Sequence, residues 1–273
     1  MNRSVSVTLR GGLGNQLFCW AAAFSLSTRL ERELVLLGGK IRRTDYHILD
    51  PRSFDLDYFG FREASRARSV WDLRIERKPI FRESGFDYDS RFEDIPGPVR
   101  LDGYFQSWRY FEAVQPAVRN LLTSRMELSL DPGDMRRRVK GERWIGVHVR
   151  RGDYEKVGIM ALPGQDYYSA AVEKVQQLTG VTHVVVFSDD VVAARKVVPF
   201  ADQYLGPAEV RNAGDVLNLL SQADGLVGAN SSLSWWAGFL NREPESPKIF
   251  PKEWFTDSSV PTGDLLFPTW ERI

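Results

Sequence analysis

Three short clusters in this 273-residue chain hold side chains whose types and spacing suit chemistry: Gly11-Gly12-Leu13-Gly14-Asn15-Gln16, His148-Val149-Arg150-Arg151-Gly152-Asp153, and Ser188-Asp189-Asp190 together with Asn230-Ser231-Ser232-Leu233-Ser234-Trp235-Trp236. Each follows an apolar run. In the first, glycines let the backbone approach a ligand closely, and the start of the next helix presents N–H groups suited to an anion. A plain strand-to-helix turn is the structural alternative. Two nucleotide signatures fail here. Leu17 stands where a dinucleotide fingerprint begun at Gly12 and Gly14 needs its third glycine, and no Walker lysine with Ser/Thr follows. Asn15 and Gln16 instead supply donors and acceptors.

In the second cluster, adjacent arginines at a strand end point in different directions. One can grip a phosphate bidentately while the other pairs with a carboxylate, Asp153 being the near one. The bland alternative is a surface ion pair beside a half-buried histidine. In the third cluster, Asp189 and Asp190 can accept hydrogen bonds from a guanine edge or a ribose, and Ser231, Ser232 and Ser234 can bind phosphate oxygens at a helix start. Asp190 and Ser234 equally suit helix N-caps, and Trp235-Trp236 suit the core. Asp55-Leu56-Asp57 and Asp87-Tyr88-Asp89 have the spacing of metal-dependent sugar-nucleotide enzymes but lie in Pro-rich loop sequence, so no metal site is assigned to them or to Ser188-Asp189-Asp190. A Ser/His/Asp hydrolase is unsupported, with no Gly-x-Ser-x-Gly elbow and only His47, His148 and His183 available.

The elements that must position these clusters follow from periodicity. Val5, Val7 and Leu9 alternate with polar residues and predict a strand, Leu17 to Leu30 a helix, and Leu34 to Leu37 a second parallel strand closing at Gly38-Gly39. From Ile41 to Pro98 no pattern emerges. A helix bent near Pro116 is predicted over Tyr110 to Arg125, and Asp131-Pro132-Gly133-Asp134 reads as a turn at a domain boundary. Beyond it, strands at Trp144 to Val149, His183 to Phe187, Gly225 to Ala229 and Lys248 to Phe250 alternate with helices at Asp166 to Leu178, Asp190 to Val198, Asp215 to Ala223 and Ser234 to Leu240. Such alternation predicts an α/β fold with largely parallel sheets, in two domains, 1–133 and 134–273, with ligands held beyond the carboxyl ends of the strands in a cleft.

Composition sets the outer bounds. Hydrophobic residues are 43%, charged residues 26%, and Lys+Arg balance Asp+Glu at 36 each, so a disordered chain and a global field for nucleic acid or anionic membrane are both excluded. Cys19 is the only cysteine, which rules out an intramolecular disulfide framework, and its apolar neighbours suit a buried thiol. The longest apolar run near the start is eight residues, Leu17 to Phe24, against the about 20 a spanning helix needs. With no basic start or cleavage site ahead of it, a soluble cytoplasmic protein is expected.

Taken together, the clusters resemble the bacterial α-1,2-fucosyltransferases of glycosyltransferase family eleven. The resemblance also runs through Gly103-Tyr104-Phe105-Gln106-Ser107, Tyr110-Phe111, Tyr154, Tyr167-Tyr168 and Phe187. It implies a GT-B architecture of two Rossmann-like domains, a GDP-fucose donor held mainly by the C-terminal one, a terminal β-galactose acceptor, no required metal or other cofactor, and inversion at the sugar. Through its motifs, Arg150 is expected on the donor's β-phosphate with His148 and Arg151 beside it. Gly12, Gly14 and Asn15 would close the donor site from the other domain, and Asp189, Asp190, Asn230, Ser231, Ser232 and Ser234 would address nucleoside and phosphates. Asp153 is the nearest carboxylate for a catalytic role, either as base or in orienting the arginines. The resemblance further implies O-antigen or capsule synthesis at the inner membrane face. An α-1,6- or protein O-fucosyltransferase and a catalytically silent sugar-nucleotide or glycan-binding module remain the alternatives.

Overall fold

Largely apolar runs such as Leu34–Leu37 and Val184–Ser188 form buried strands, and Val5–Thr8 and Ile145–Val149 are buried throughout although Ser6 and His148 interrupt them. The computed structural model describes residues 4–37, 55–61, 78–128, 138–152, 154 and 158–273. Gly38-Gly39, the turn 131–134, Asp153 and Glu155 lie outside them. The chain divides into two compact units, Met1–Arg125 with Pro261–Leu266, and Met126–Val260 with Phe267–Ile273.

Unit 1 holds a parallel four-stranded sheet of order β2-β1-β4-β3, formed by β1 (Val5–Thr8), β2 (Leu34–Leu37), β3 (Ile80–Arg82) and β4 (Arg100–Asp102). The crossover from β1 to β2 is helix α1 (Leu13–Arg29), which begins at Gly12 and ends on Arg29, a cation at the negative end of the helix dipole. Cys19 is buried in α1, and burial pushes its thiol up to about 12, so it is no thiolate at neutral pH. Sequence periodicity leaves β3 and β4 unassigned. The predicted helix from Tyr110 divides into a 3₁₀ segment, Trp108–Val114, and α2 (Gln115–Leu128), with a non-helical Phe111 inside the first. The bend therefore precedes Pro116, which sits in the first turn of α2, where its missing N–H has no helical partner to lose.

Unit 2 holds a parallel six-stranded sheet. Its strands are β5 (Ile145–Val149), β6 (Val184–Ser188), β7 (Gln203–Leu205), β8 (Gly225–Val227), β9 (Lys248–Phe250) and β10 (Glu271–Arg272). The order β7-β6-β5-β8-β9-β10 is the 3-2-1-4-5-6 order of a dinucleotide-binding sheet. Helices α3 (Gln165–Thr179), α4 (Val191–Val197), α5 (Ala213–Ser221) and α6 (Ser232–Phe239) connect its strands. Val147, Val149, Val172, Val175, Val186 and Ile249 are among the residues that fill its core. The cap of α6 is Ser231, whose side chain accepts from the Leu233 N–H, and not Ser234. Helix α5 starts two residues before Asp215 because Asn212 caps it.

Trp235 and Trp236 are fully buried, and Trp235 lies 5.4 Å from Phe239, 5.4 Å from Phe267 and 5.3 Å from Trp270 by ring centroids. The indole is packing material rather than a sugar platform. Trp235→Ala is expected to cost about 3–5 kcal/mol, read as a lowered midpoint for unit 2 in denaturant titration. A wild-type midpoint would reject this assignment.

Candidate active site

In a parallel sheet of this order, strands β5 and β8 are neighbours whose following connections leave in opposite directions, so a crevice opens beyond their carboxyl ends. His148 and Arg150 leave β5 there, Asp189 and Asp190 leave β6 beside them, and Asn230 to Ser234 leave β8. The structure thus brings nine residues singled out by sequence, His148, Arg150, Arg151, Asp189, Asp190, Asn230, Ser231, Ser232 and Ser234, to the same end of one sheet.

Asp189 organises the cations. Its Oδ2 lies 2.9 Å from Arg150 Nη1, while its Oδ1 accepts from the Arg151 backbone N–H at 3.0 Å. Gly152 allows this, because a Cβ there would run into Asp189 Oδ2. The Tyr154 ring lies under the Arg150 guanidinium, 5.5 Å from its centroid. The two arginines then diverge in accessibility. Arg150 keeps 22% of its side chain exposed, enough to meet a ligand. Arg151, with only 6% exposure, turns inward and donates to the Pro163 carbonyl at 2.5 Å.

His148 is held across the crevice. Its Nδ1 is 2.6 Å from Ser234 Oγ, which also accepts from the Ala229 N–H at 3.1 Å. Ser234 Oγ thus joins the imidazole to the backbone at the end of β8, with the donor in the Nδ1 contact set by the imidazole tautomer. Burial, with Arg150 nearby, pulls the imidazole down to about 3, so it is neutral. Tyr168 donates to the His148 carbonyl at 3.3 Å, and Tyr167 donates to Gly228 at 2.6 Å and Ile249 at 3.1 Å. These two hydroxyls satisfy carbonyls at the ends of β5, β8 and β9.

The remaining motif residues are partly spent on structure. Asp190 caps α4 by accepting from Ala193 at 2.9 Å. Asn230 is fully buried and donates to the carbonyls of Ala161 at 2.5 Å and Trp254 at 2.8 Å, so with Arg151 it pins the segment ahead of α3. That segment, with Gly164, Tyr167, Pro251, Lys252, Glu253 and Ile273, borders a cavity of about 340 Å³.

Gly12, Gly14 and Asn15 lie in unit 1, at the carboxyl end of β1. Asn15 Oδ1 accepts from Gln106 at 2.6 Å. Gln16, buried, bridges the Gly11 carbonyl and the Asp55 N–H, each at 2.9 Å, which makes it part of the loop's frame. Asp153 lies outside the described residues. Sequence reasoning missed Glu83, a largely buried carboxyl beside this loop, because it sits in a stretch without periodicity. Among the described residues no group of three or more His, Cys, Asp or Glu side chains could hold a metal ion, and no helix is long and apolar enough to cross a membrane.

This arrangement is that of a GT-B glycosyltransferase. Escherichia coli ADP-heptose lps heptosyltransferase II shares the fold with a TM-score of 0.52 over 99% of this chain and 90% of its own, at 12% identity. Residues 84–272 match the model of glycosyl transferase family 11, and the chain belongs to that family. Similar proteins include the E. coli O-antigen biosynthesis glycosyltransferase WbnK, 23% identical over 97% of this chain and 99% of the relative, and an E. coli alpha-1,2-colitosyltransferase, 25% identical over 98% of each. The mouse galactoside 2-alpha-L-fucosyltransferase Sec1 is 28% identical over 86% of this chain and 64% of its own.

A histidine held neutral in the fold but free to protonate when unfolded makes stability depend on pH. The folded value lies near 3 against an ordinary 6.5, so this contribution is complete above about pH 6.5 and is lost as pH falls towards 3. Denaturant titrations between pH 7 and 4 should show a loss on the order of a few kcal/mol that is smaller in His148→Asn. An equal acid slope in both proteins would contradict a buried neutral imidazole.

Proposed function

We propose that this protein is an inverting, metal-independent galactoside α-1,2-fucosyltransferase, moving L-fucose from GDP-β-L-fucose to the 2-hydroxyl of a terminal β-galactose. The observation that carries the reading is Arg150, a guanidinium fixed by Asp189 yet accessible, where the sheet order puts a nucleotide's phosphates. Family membership and the mouse relative's name support fucosyl transfer. WbnK's name supports a role in O-antigen biosynthesis.

In the proposed step the acceptor oxygen attacks fucose C1 from the face opposite the diphosphate. The bond from C1 to the β-phosphate oxygen breaks with its electron pair, so GDP departs and the α linkage forms. Negative charge grows on the leaving oxygen, and Arg150, whose orientation is already set, stabilises it without a metal. Asp153, in the same motif, is proposed to take the hydroxyl proton. Asp189 and Ser232 are proposed to address the nucleoside and phosphates, with Asp190 and the buried Ser231 capping the helices that hold them and Ser234 in the first turn of α6. Gly12 and Gly14 are proposed to admit the donor closely along the backbone.

A second reading has its own support. The full-length similarity to the colitosyltransferase raises GDP-colitose as the donor, a sugar lacking the 3-hydroxyl of fucose. A pocket that hydrogen-bonds that hydroxyl discriminates strongly against its absence, so the two donors separate cleanly in competition.

Incubation with each donor and a panel of galactosides, with linkage determination, tests the transfer. Arg150→Ala should lower kcat by about 10²–10³-fold, and Arg150→Lys should recover little of it, since a lysine cannot reproduce the planar two-point contact. Activity should survive EDTA. Near-normal turnover in Arg150→Ala, or loss of activity on chelation, rejects the mechanism.

A further inference from the structure

Beyond the carboxyl end of the unit 1 sheet, a carboxyl group that no step of the proposed transfer uses supports a backbone turn of unusual shape. Phe105 adopts a left-handed conformation, φ 54°, costly for a residue with a large side chain. Two things offset that cost. Phe105 is fully buried against Phe81, Phe92 and Tyr110, and Glu83 accepts the backbone N–H groups of both Tyr104 and Phe105, the latter at 2.8 Å. A Cβ on Gly103 would come within 2.6 Å of Glu83 Oε1, so only glycine lets the carboxylate approach. The Cys19 thiol donates to the Gly103 carbonyl at 3.4 Å from the other side.

The next residue after this turn is Gln106, whose Nε2 donates to Asn15 Oδ1 at 2.6 Å. Each carboxamide spends one group on that contact, and the half-buried pair keeps Asn15 Nδ2 as a donor and Gln106 Oε1 as an acceptor. A donor and an acceptor side by side match adjacent hydroxyls of a sugar ring. The pair stands beside the glycine loop, where a parallel sheet places its ligands.

We infer that Glu83 is a positioning residue for the acceptor: by fixing the turn Gly103 to Phe105 it holds Gln106 against Asn15, so that the two carboxamides bind hydroxyls of the β-galactoside. The inference rests on the proposed galactoside transfer and adds to it the residues that recognise the acceptor, Asn15 among them in place of the donor role that the resemblance implies for it. Burial pushes the Glu83 carboxyl up to about 7, against the two N–H groups and Arg10 that favour its charged form. Asp89 opposes ionisation, and Cys19 and Tyr110 also face the group. The turn needs the ionised form, since a protonated oxygen cannot accept as well from its N–H partner.

Binding of methyl β-galactoside, followed by NMR titration, reads the inference directly. Glu83→Gln replaces one accepting oxygen with an amide that opposes a backbone N–H. It should weaken binding by about 10- to 100-fold, the scale of a small misplacement, while the KM for GDP-fucose stays within about twofold. Wild-type affinity for the galactoside should fall as pH drops through about 7, and the Glu83→Gln affinity should not. Gln106→Ala, which leaves the turn intact, should weaken binding similarly, and the two changes together should cost less than their sum. Galactoside affinity unchanged in both variants, additive effects, an acid limb retained in Glu83→Gln, or no galactoside binding by the wild-type protein would each overturn it. Should Glu83→Gln fail to fold, Gln106→Ala and the wild-type pH dependence still decide. Galactoside binding that follows this pattern without fucose transfer would defeat the functional reading instead.

Discussion

A cation stabilises charge on a departing diphosphate only to the extent that it is already in place when the charge appears. In unit 2 that condition rests on Asp189. Its two oxygens act on consecutive residues in different ways, one on the side chain of Arg150 and the other on the backbone of Arg151. The side-chain contact sets where the guanidinium sits, and the backbone contact sets how the chain leaves β5. Gly152 is required by the same approach. Without the carboxylate, a long flexible arginine would sample several rotamers, and each phosphate contact would carry the entropy of ordering it.

Around this centre the motif residues divide by burial into those a ligand can reach and those that hold the ones it reaches. Arg151, His148, Asn230 and Ser234 are all buried. Arg151 and Asn230 converge on the carbonyls of Pro163 and Ala161, so the segment ahead of α3 is tied to the ends of two neighbouring strands. His148 and Ser234 tie β5 to α6 in the same way. Neutral hydrogen-bonded side chains suit this work, because a buried charge would demand a partner in turn. Arg151 is the exception, and its guanidinium donates to the Pro163 carbonyl.

The inner strands of unit 2 were legible in the sequence because β5, β6 and β8 are buried throughout and so read as largely apolar runs separated by helices of helical period. The ends shifted by a residue or two where a cap lay earlier than supposed, as Asn212 and Ser231 show, and the short edge strands β7 and β10, which carry polar residues, were missed. Unit 1 was legible up to β2 and again from Tyr110, where the predicted helix contains α2. Strands β3 and β4 have three residues each, too few to establish alternation, and β4 pairs with β1 across more than ninety residues of chain. The site divides similarly. Residues that follow a readable strand, such as Arg150 and Asp189, announce themselves by position. Glu83 does not, since its partners lie some twenty residues on, in a turn whose left-handed Phe105 has no signature in residue type. Nor does sequence separate Arg150 from Arg151, whose different roles depend on which of them finds a buried carbonyl.

The two units also differ in how their polar groups respond to protons. At the unit 2 crevice the imidazole of His148 stays neutral far below physiological pH. That side chain therefore adds no proton-dependent charge to the crevice near neutrality. Beside the glycine loop of unit 1, burial brings a carboxyl into that same range. On the proposed reading, that carboxyl makes the turn ahead of Gln106 sensitive to acid. Burial drives both outcomes: it removes charge from a histidine that would otherwise titrate near neutrality, and it delivers titration near neutrality to a glutamate that otherwise would not.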